Sequence, residues 1–408
     1  MKTTWERRFS HRTKLMKAST IRELLAFTTM PDVISFAGGL PAPKIFPVDK
    51  FLESCTTTLK EKSEIALQYG ATEGYRPLVE WIAENNGTGL KVAPENVIIT
   101  NGAQQGLDML GRAFINQGNH ILVESPTYLG ALQAWNGYGA EYLPTKMDQD
   151  GIIPEKFEKS IRCGAKFAYL QPNFQNPTGN SITLERRQRI VEIADHYGIP
   201  LVEDDPYGQL YYDEKPGDSI LKIDSEFRNC PNKYCGDVIY LGTFSKTLAP
   251  GMRIAYMIAP AEVIQKINLC KQGADLHTPT FNQVAVYETL KDGFVNEHIK
   301  VIRAEYKRRR DIMLDALDEC MPEGIRWTHP NGGLFLWAFF PKHINTTTLL
   351  KYAVKEKIAF VPGEQFFTGE EKKTHMMRLN FSNAAPEKIV EGVQRLVKAY
   401  ENYAKDTE

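Results

Sequence analysis

Apolar positions along the chain follow two alternating patterns. Short, nearly continuous apolar runs at 96–100, 120–124, 167–171, 199–203, 238–241 and 254–259 read as strands. Between several of them lie stretches with apolar residues three and four apart, such as 78–84, 107–114 and above all 184–197, which read as helices. Such strands interleaved with helices predict an α/β fold with a mostly parallel central sheet covered by helices. Before them, 1–17 is a polar, basic arm, and 18–25 opens as a helix that Ser19 or Thr20 can cap. After them come a long helix over 297–317, a turn and strand at 331–337, a strand at 375–382 and a core-facing helix over 386–403. The expected division is an N-terminal arm at 1–45 joining a small α+β domain at 291–408, with a large domain at 46–290.

Composition narrows the class. The 408 residues are 42% hydrophobic and 24% charged with a net charge of −1, which gives no electrostatic case for nucleic acid or an anionic membrane. The one compact basic run, Lys307 to Arg310, lies among acidic residues on a helical pattern and reads as a solvated face. No apolar run approaches a membrane span, and the N-terminus lacks a signal-peptide core. Six scattered cysteines show no Cys-x-x-Cys spacing, and Cys230 and Cys235 alone make a weak zinc signal, so no metal and reduced thiols in the cytoplasm are expected.

Chemistry gathers where the strands end. The run 238–241 leads into Gly242-Thr243-Phe244-Ser245-Lys246, and a Pro250-Gly251 turn and Arg253 follow before the next strand. A lone loop lysine is usually a solvated one, but here hydroxyls and an arginine surround it. That setting suits an amine that condenses with an aldehyde cofactor. Asn101-Gly102-Ala103-Gln104 turns from strand into helix, a place where unpaired N–H groups and the helix dipole attract an anion. Its glycine spacing fits neither a dinucleotide nor an ATP loop. Gly38 and Gly39 precede Pro41 and Pro43 in a loop whose backbone can approach a ligand. Tyr128, Asn176 and the run Glu203-Asp204-Asp205-Pro206-Tyr207 also follow strands, where α/β sheets bind ligands.

These motifs, in this order, resemble the class I, fold-type I aminotransferases that use pyridoxal 5'-phosphate. Tyr69 with Gly74, Gln175-Asn176-Pro177-Thr178-Gly179, Asp204 with Tyr207, and Ser245-Lys246 with Pro250-Gly251 and Arg253 carry the likeness. The stretches Ala18 to Leu25, Ser35 to Pro43, Glu203 to Tyr207 and Gly273 to Pro279 look like the 2-aminoadipate/kynurenine aminotransferase branch. The resemblance implies that Lys246 forms a Schiff base with the cofactor and then moves the substrate proton. Asp204, three before Tyr207, would hold the ring nitrogen protonated; Asp205 is the competing choice. Tyr207 and Asn176 would bind the ring oxygen, and Tyr128 would stack on the ring unless it is simply core.

The same resemblance gives the phosphate to Gly102, Ala103, Gln104, Thr243, Ser245 and Arg253, and lets Tyr69 reach the neighbouring copy's cofactor in a homodimer with shared sites. Arg378, costly inside an apolar strand unless paired, would clamp the substrate carboxylate beside Gly39 and Asn176. Arg22 would grip a distal carboxylate, and Leu40, Tyr69, Tyr128 and Leu276 would border a pocket for larger side chains. The implied reaction is ping-pong transfer of an amino group between an L-amino acid (2-aminoadipate, aromatic or branched-chain) and 2-oxoglutarate. A β-lyase on the same frame is the alternative. A cofactor-sensing regulator would need a basic DNA-binding domain that 408 residues starting this way leave no room for.

Overall fold

A computed structural model describes residues 3–16, 32–230, 233–369 and 373–407. Its centre is an eight-stranded sheet in the order Val97–Asn101, Ile254–Ile258, Val238–Thr243, Leu201–Asp204, Ala165–Leu170, His120–Ser125, Glu141–Asp148, Gly151–Ile152. Five neighbouring strands, from Val238–Thr243 to Glu141–Asp148, run parallel. Ile254–Ile258 is antiparallel to both its neighbours, so Val97–Asn101 points the same way as the five. The sheet closes on a two-residue edge strand, Gly151–Ile152. Glu141–Asp148, second from that edge, is mostly half-buried or exposed, so its sequence lacks the apolar run that marks the inner strands.

Alternation along the strands builds a core on each face. Leu170, Leu201, Tyr240 and Ile258 pack on one side, and Tyr169, Val202, Ile239 and Met257 on the other. Helix Leu184–Tyr197 has the predicted bounds and ends on Gly198 in the left-handed conformation that glycine adopts at least cost. Helix Ala103–Phe114 starts four residues earlier than its apolar pattern, because Gly102 at φ 78 lets the backbone turn directly from strand into helix.

A third core forms around a four-stranded antiparallel sheet, Arg326–Trp327, Phe335–Phe339, Met376–Asn380 and Val361–Pro362. The long helix Phe294–Cys320 and the last helix Pro386–Thr407 pack together over it. Ile34–Ser35 pairs in parallel with Ile358–Ala359, tying the early chain to this C-terminal unit. One expectation about the cysteines is overturned. Cys230 and Cys235 form a disulfide: Cys230, held against the end of helix Ile220–Phe227 by its N–H donating to the Ser225 carbonyl at 3.0 Å, has its Cα 6.1 Å from that of Cys235.

Candidate active site

Because six strands point the same way, the residues that follow them converge at one edge of the sheet. Gly102, Tyr128, Asn176, Asp204 and Lys246 are all such residues. With Gly39 from the early loop and Arg378 from the small sheet, most of them line one cavity of about 330 Å³.

Lys246 sits in the turn after Val238–Thr243, and its Nζ donates to the Gly39 carbonyl at 2.8 Å. Burial, with Arg378 and Arg253 nearby, pulls the amine down to about 8. The lysine can thus be neutral and nucleophilic close to physiological pH. Gly39 cannot carry a side chain here, since a Cβ would come within 2.7 Å of the Phe335 ring.

The three consecutive carboxylates part company by strand alternation. Glu203 faces away from the cavity, where its two oxygens accept from the Ile220 and Leu221 N–H groups at 3.0 and 2.8 Å and cap that helix. Asp205 accepts from the Gly208 N–H at 2.7 Å and from Asn173 at 2.9 Å, which fixes a turn. Asp204 alone of the three lines the cavity. Burial raises its carboxyl to about 6, while hydrogen bonds from Tyr169 and Gln171 pull the other way.

An anion cradle closes one end. Helix Ala103–Phe114 has no side-chain cap, and its first two residues, Ala103 and Gln104, line the cavity. Arg253 is held left-handed at φ 54 and packs beneath Gly102, where a Cβ would lie 2.0 Å from Nη2. Thr243 and Ser245 exchange a hydroxyl hydrogen bond of 3.0 Å and line the same end.

At the other end, Arg378 Nη1 donates to Asn176 Oδ1 at 2.7 Å and Nη2 to the Ala37 carbonyl at 2.5 Å. Its guanidinium lies 4.3 Å from the centre of the Phe335 ring. Its Nε is buried with no hydrogen-bond partner among the described residues. An arginine this enclosed, without a carboxylate beside it, is poised for an anionic ligand. Tyr207 stands edge-on to Phe335 and lines the cavity with Asn176, and burial pushes its phenol up. Tyr128 is half-buried in the wall, its ring so close to Gly130 that a Cβ there would lie 2.4 Å away.

Other expected residues lie elsewhere. Tyr69 is 78% exposed, edge-on to His277, and does not line this cavity. Leu40 and Leu276 are also exposed and outside it. Arg22 lies outside the described residues. Sequence reasoning passed over Tyr169, Gln171 and Phe335, because each sits in or beside an apolar strand and reads as core. For Gln171 the signal was available: an amide continuing an apolar run is costly unless bonded.

Comparisons with known proteins agree with this geometry. Residues 47–396 match the family described as aminotransferase class I and II. The chain is 43% identical over 404 residues to aromatic-amino-acid aminotransferase 1 of Thermococcus litoralis, spanning 97% of this chain and 94% of the relative. It is 42% identical over 398 residues to the 2-aminoadipate transaminase of Thermus thermophilus, spanning 97% of each. The crystal structure of the alpha-aminoadipate aminotransferase of Thermus thermophilus, complexed with N-(5'-phosphopyridoxyl)-L-leucine, matches with a TM-score of 0.90 at 40% identity. That match covers 98% of this chain and 99% of the other.

The chemistry of these residues fits such a group: an uncapped helix start at Gly102 beside Arg253, a buried Lys246 amine, and an Arg378 Nε with no hydrogen-bond partner among the described residues. The chain belongs to the class I and II aminotransferases, and it is a transaminase whose cofactor is pyridoxal 5'-phosphate.

Proposed function

We propose that this enzyme transfers the amino group between an L-amino acid (2-aminoadipate, aromatic or branched-chain) and 2-oxoglutarate by a ping-pong cycle at Lys246. The observation that carries the reading is Arg378, buried, hydrogen-bonded to Asn176 and lining one cavity with Lys246 and Asp204. A guanidinium in that place fixes a substrate α-carboxylate and disfavours its loss. The names of the two curated relatives and the leucine adduct in the structural neighbour support the donor classes.

Pyridoxal 5'-phosphate, when bound, supplies an aldehyde for amines and a ring that takes up electrons released at the substrate Cα. The protein's part is to hold charge and move protons. Lys246 Nζ would hold the cofactor through its aldehyde and, as a neutral amine, would take the proton from the substrate Cα as a general base. Asp204 would hold the ring nitrogen protonated. Tyr207 and Asn176 would hydrogen-bond the ring oxygen, and Tyr128 would lie against the ring. Gly102, Ala103, Gln104, Thr243, Ser245 and Arg253 would hold the phosphate.

The same reading makes the enzyme a homodimer in which Tyr69 of one copy reaches the other copy's phosphate; its exposure outside its own cavity supports this. Arg22 is kept as the grip on a distal carboxylate. A division near residues 45 and 290 is supported by the separate core under the small sheet. A cytoplasmic setting belongs to this reading too, and four of the six cysteines are free.

The test is to mix the holoenzyme with single amino acids, without any keto acid, and follow the cofactor's visible band. Prompt loss of the band with 2-aminoadipate and glutamate, and with leucine, phenylalanine or kynurenine, supports the reading. Release of ammonia or of a side-chain fragment in place of a keto acid would move the enzyme to the lyase reaction.

A further inference from the structure

Asp204 is held through one oxygen. Oδ2 accepts from the Tyr169 hydroxyl at 2.6 Å and from Gln171 Nε2 at 2.9 Å, and among the described residues no hydrogen bond reaches Oδ1. Tyr169 and Gln171 are two apart on one strand edge, and Tyr169 is in register with Val202, two before Asp204 on the neighbouring strand. All four side chains therefore share a face of the sheet.

Tyr169 has no freedom to serve elsewhere. It is fully buried, with its ring edge-on to Trp135 at 5.3 Å, and Trp135 is itself pinned by its Nε1 donating to the Leu107 carbonyl at 2.8 Å. The Gln171 amide reaches two site residues at once, because its Oε1 accepts from the Asn176 N–H at 3.1 Å while its Nε2 holds Asp204. The Gln171 backbone N–H is anchored in turn on Glu124 Oε2 at 3.1 Å.

We propose that Tyr169, seconded by Gln171, is a positioning residue that claims Asp204 Oδ2, leaves Oδ1 for the cofactor's ring nitrogen, and keeps that carboxylate charged inside the core. The inference rests on the reading that Asp204 faces the ring nitrogen. A carboxylate buried this deeply loses its charge unless donors are fixed on it. The titratable groups around it are Asp205, which together with burial disfavours its charge, Glu124, which burial keeps protonated up to about 8, and the phenols of Tyr128, Tyr207 and Tyr240, which are neutral. Tyr169 and Gln171 are the two donors that offset them.

The experiment uses the holoenzymes of Tyr169→Phe, Gln171→Met and Asp204→Asn, with the pH midpoint of the cofactor's visible absorbance as the main readout. A less firmly protonated ring nitrogen withdraws less charge from the Lys246 linkage, so the midpoint rises. Tyr169→Phe should raise it by about half a pH unit or more, the scale of losing one hydrogen bond to a charged group. It should also lower kcat by about tenfold while leaving KM for the donor within about twofold. Gln171→Met should shift the midpoint the same way, and it carries the test if Tyr169→Phe does not fold. An unshifted midpoint in both variants, with Asp204→Asn shifted, would overturn the proposal alone. An unshifted midpoint in Asp204→Asn would overturn the placing of Asp204 at the ring, and this inference with it.

Discussion

Arg378 and Asn176, 202 residues apart in sequence, meet at 2.7 Å across the junction between the small antiparallel sheet and the large parallel one. The bond fixes a guanidinium from one core against the loop that leaves the other. It uses one prong of the fork, a second prong holds the Ala37 carbonyl, and Nε has no hydrogen-bond partner among the described residues. A ligand carboxylate approaching that side completes the set.

Lysine in this place keeps the charge but loses the fork. Arg378→Lys should therefore lower kcat/KM for every α-amino acid donor by about a hundredfold or more, mainly through KM. Steady-state kinetics on two unlike donors check it, and losses under about twofold would remove Arg378 from the carboxylate site.

Lys246 titrates near 8, depressed by burial and by two arginines. Only the neutral amine attacks an aldehyde, so cofactor uptake by the apoprotein should speed up by about tenfold per pH unit below that value and level off above it. Stopped-flow absorbance of apoprotein mixed with pyridoxal phosphate measures the rate. A profile still climbing at the same slope beyond pH 9.5 would mean an ordinary, solvated lysine.

Glu124 gives a stability prediction. Burial raises its carboxyl from an ordinary 4.5 to about 8, and Oε1 has no hydrogen-bond partner among the described residues. The folded state thus holds a proton that the unfolded chain releases. This contribution is whole below about pH 4.5 and is lost as pH rises to about 8. Glu203, raised to about 7, and Asp204, raised to about 6, act in the same direction. Apoprotein stability should fall with rising pH through this window. Glu124→Gln, which mimics the protonated form, should flatten the slope by about 2 to 4 kcal/mol between pH 5 and 8. Urea unfolding at several pH values tests it, and an unchanged slope would show that Glu124 is ionised in the fold.

What the sequence disclosed was whatever local pattern alone determines. Helix Leu184–Tyr197 could be bounded from its spacing and Gly198, and Lys246 was marked by the hydroxyls and the Pro-Gly turn around it. Asp204 could be preferred over Asp205 only by spacing; alternation in the folded strand supplied the physical reason, since Glu203 and Asp205 are both taken up on the far face. Tyr169 stayed hidden because a tyrosine in an apolar strand looks like packing, and its hydroxyl finds Asp204 only once strands 35 residues apart lie side by side. The Cys230–Cys235 pair was hidden for a local reason: five residues apart, its short spacing suggested a poor metal site. The shape of the Gly39 loop was also invisible, because it depends on Phe335, nearly three hundred positions away.

Every step proposed for this enzyme depends on Lys246 carrying the cofactor. Reducing the holoenzyme with borohydride, digesting it and mapping the phosphopyridoxyl group by mass spectrometry tests this directly. The predicted result is the modification on Lys246 alone, with loss of the visible band. Modification instead on Lys271, a fully buried lysine that the structure ties to Asp275 and Gln105, would contradict the account.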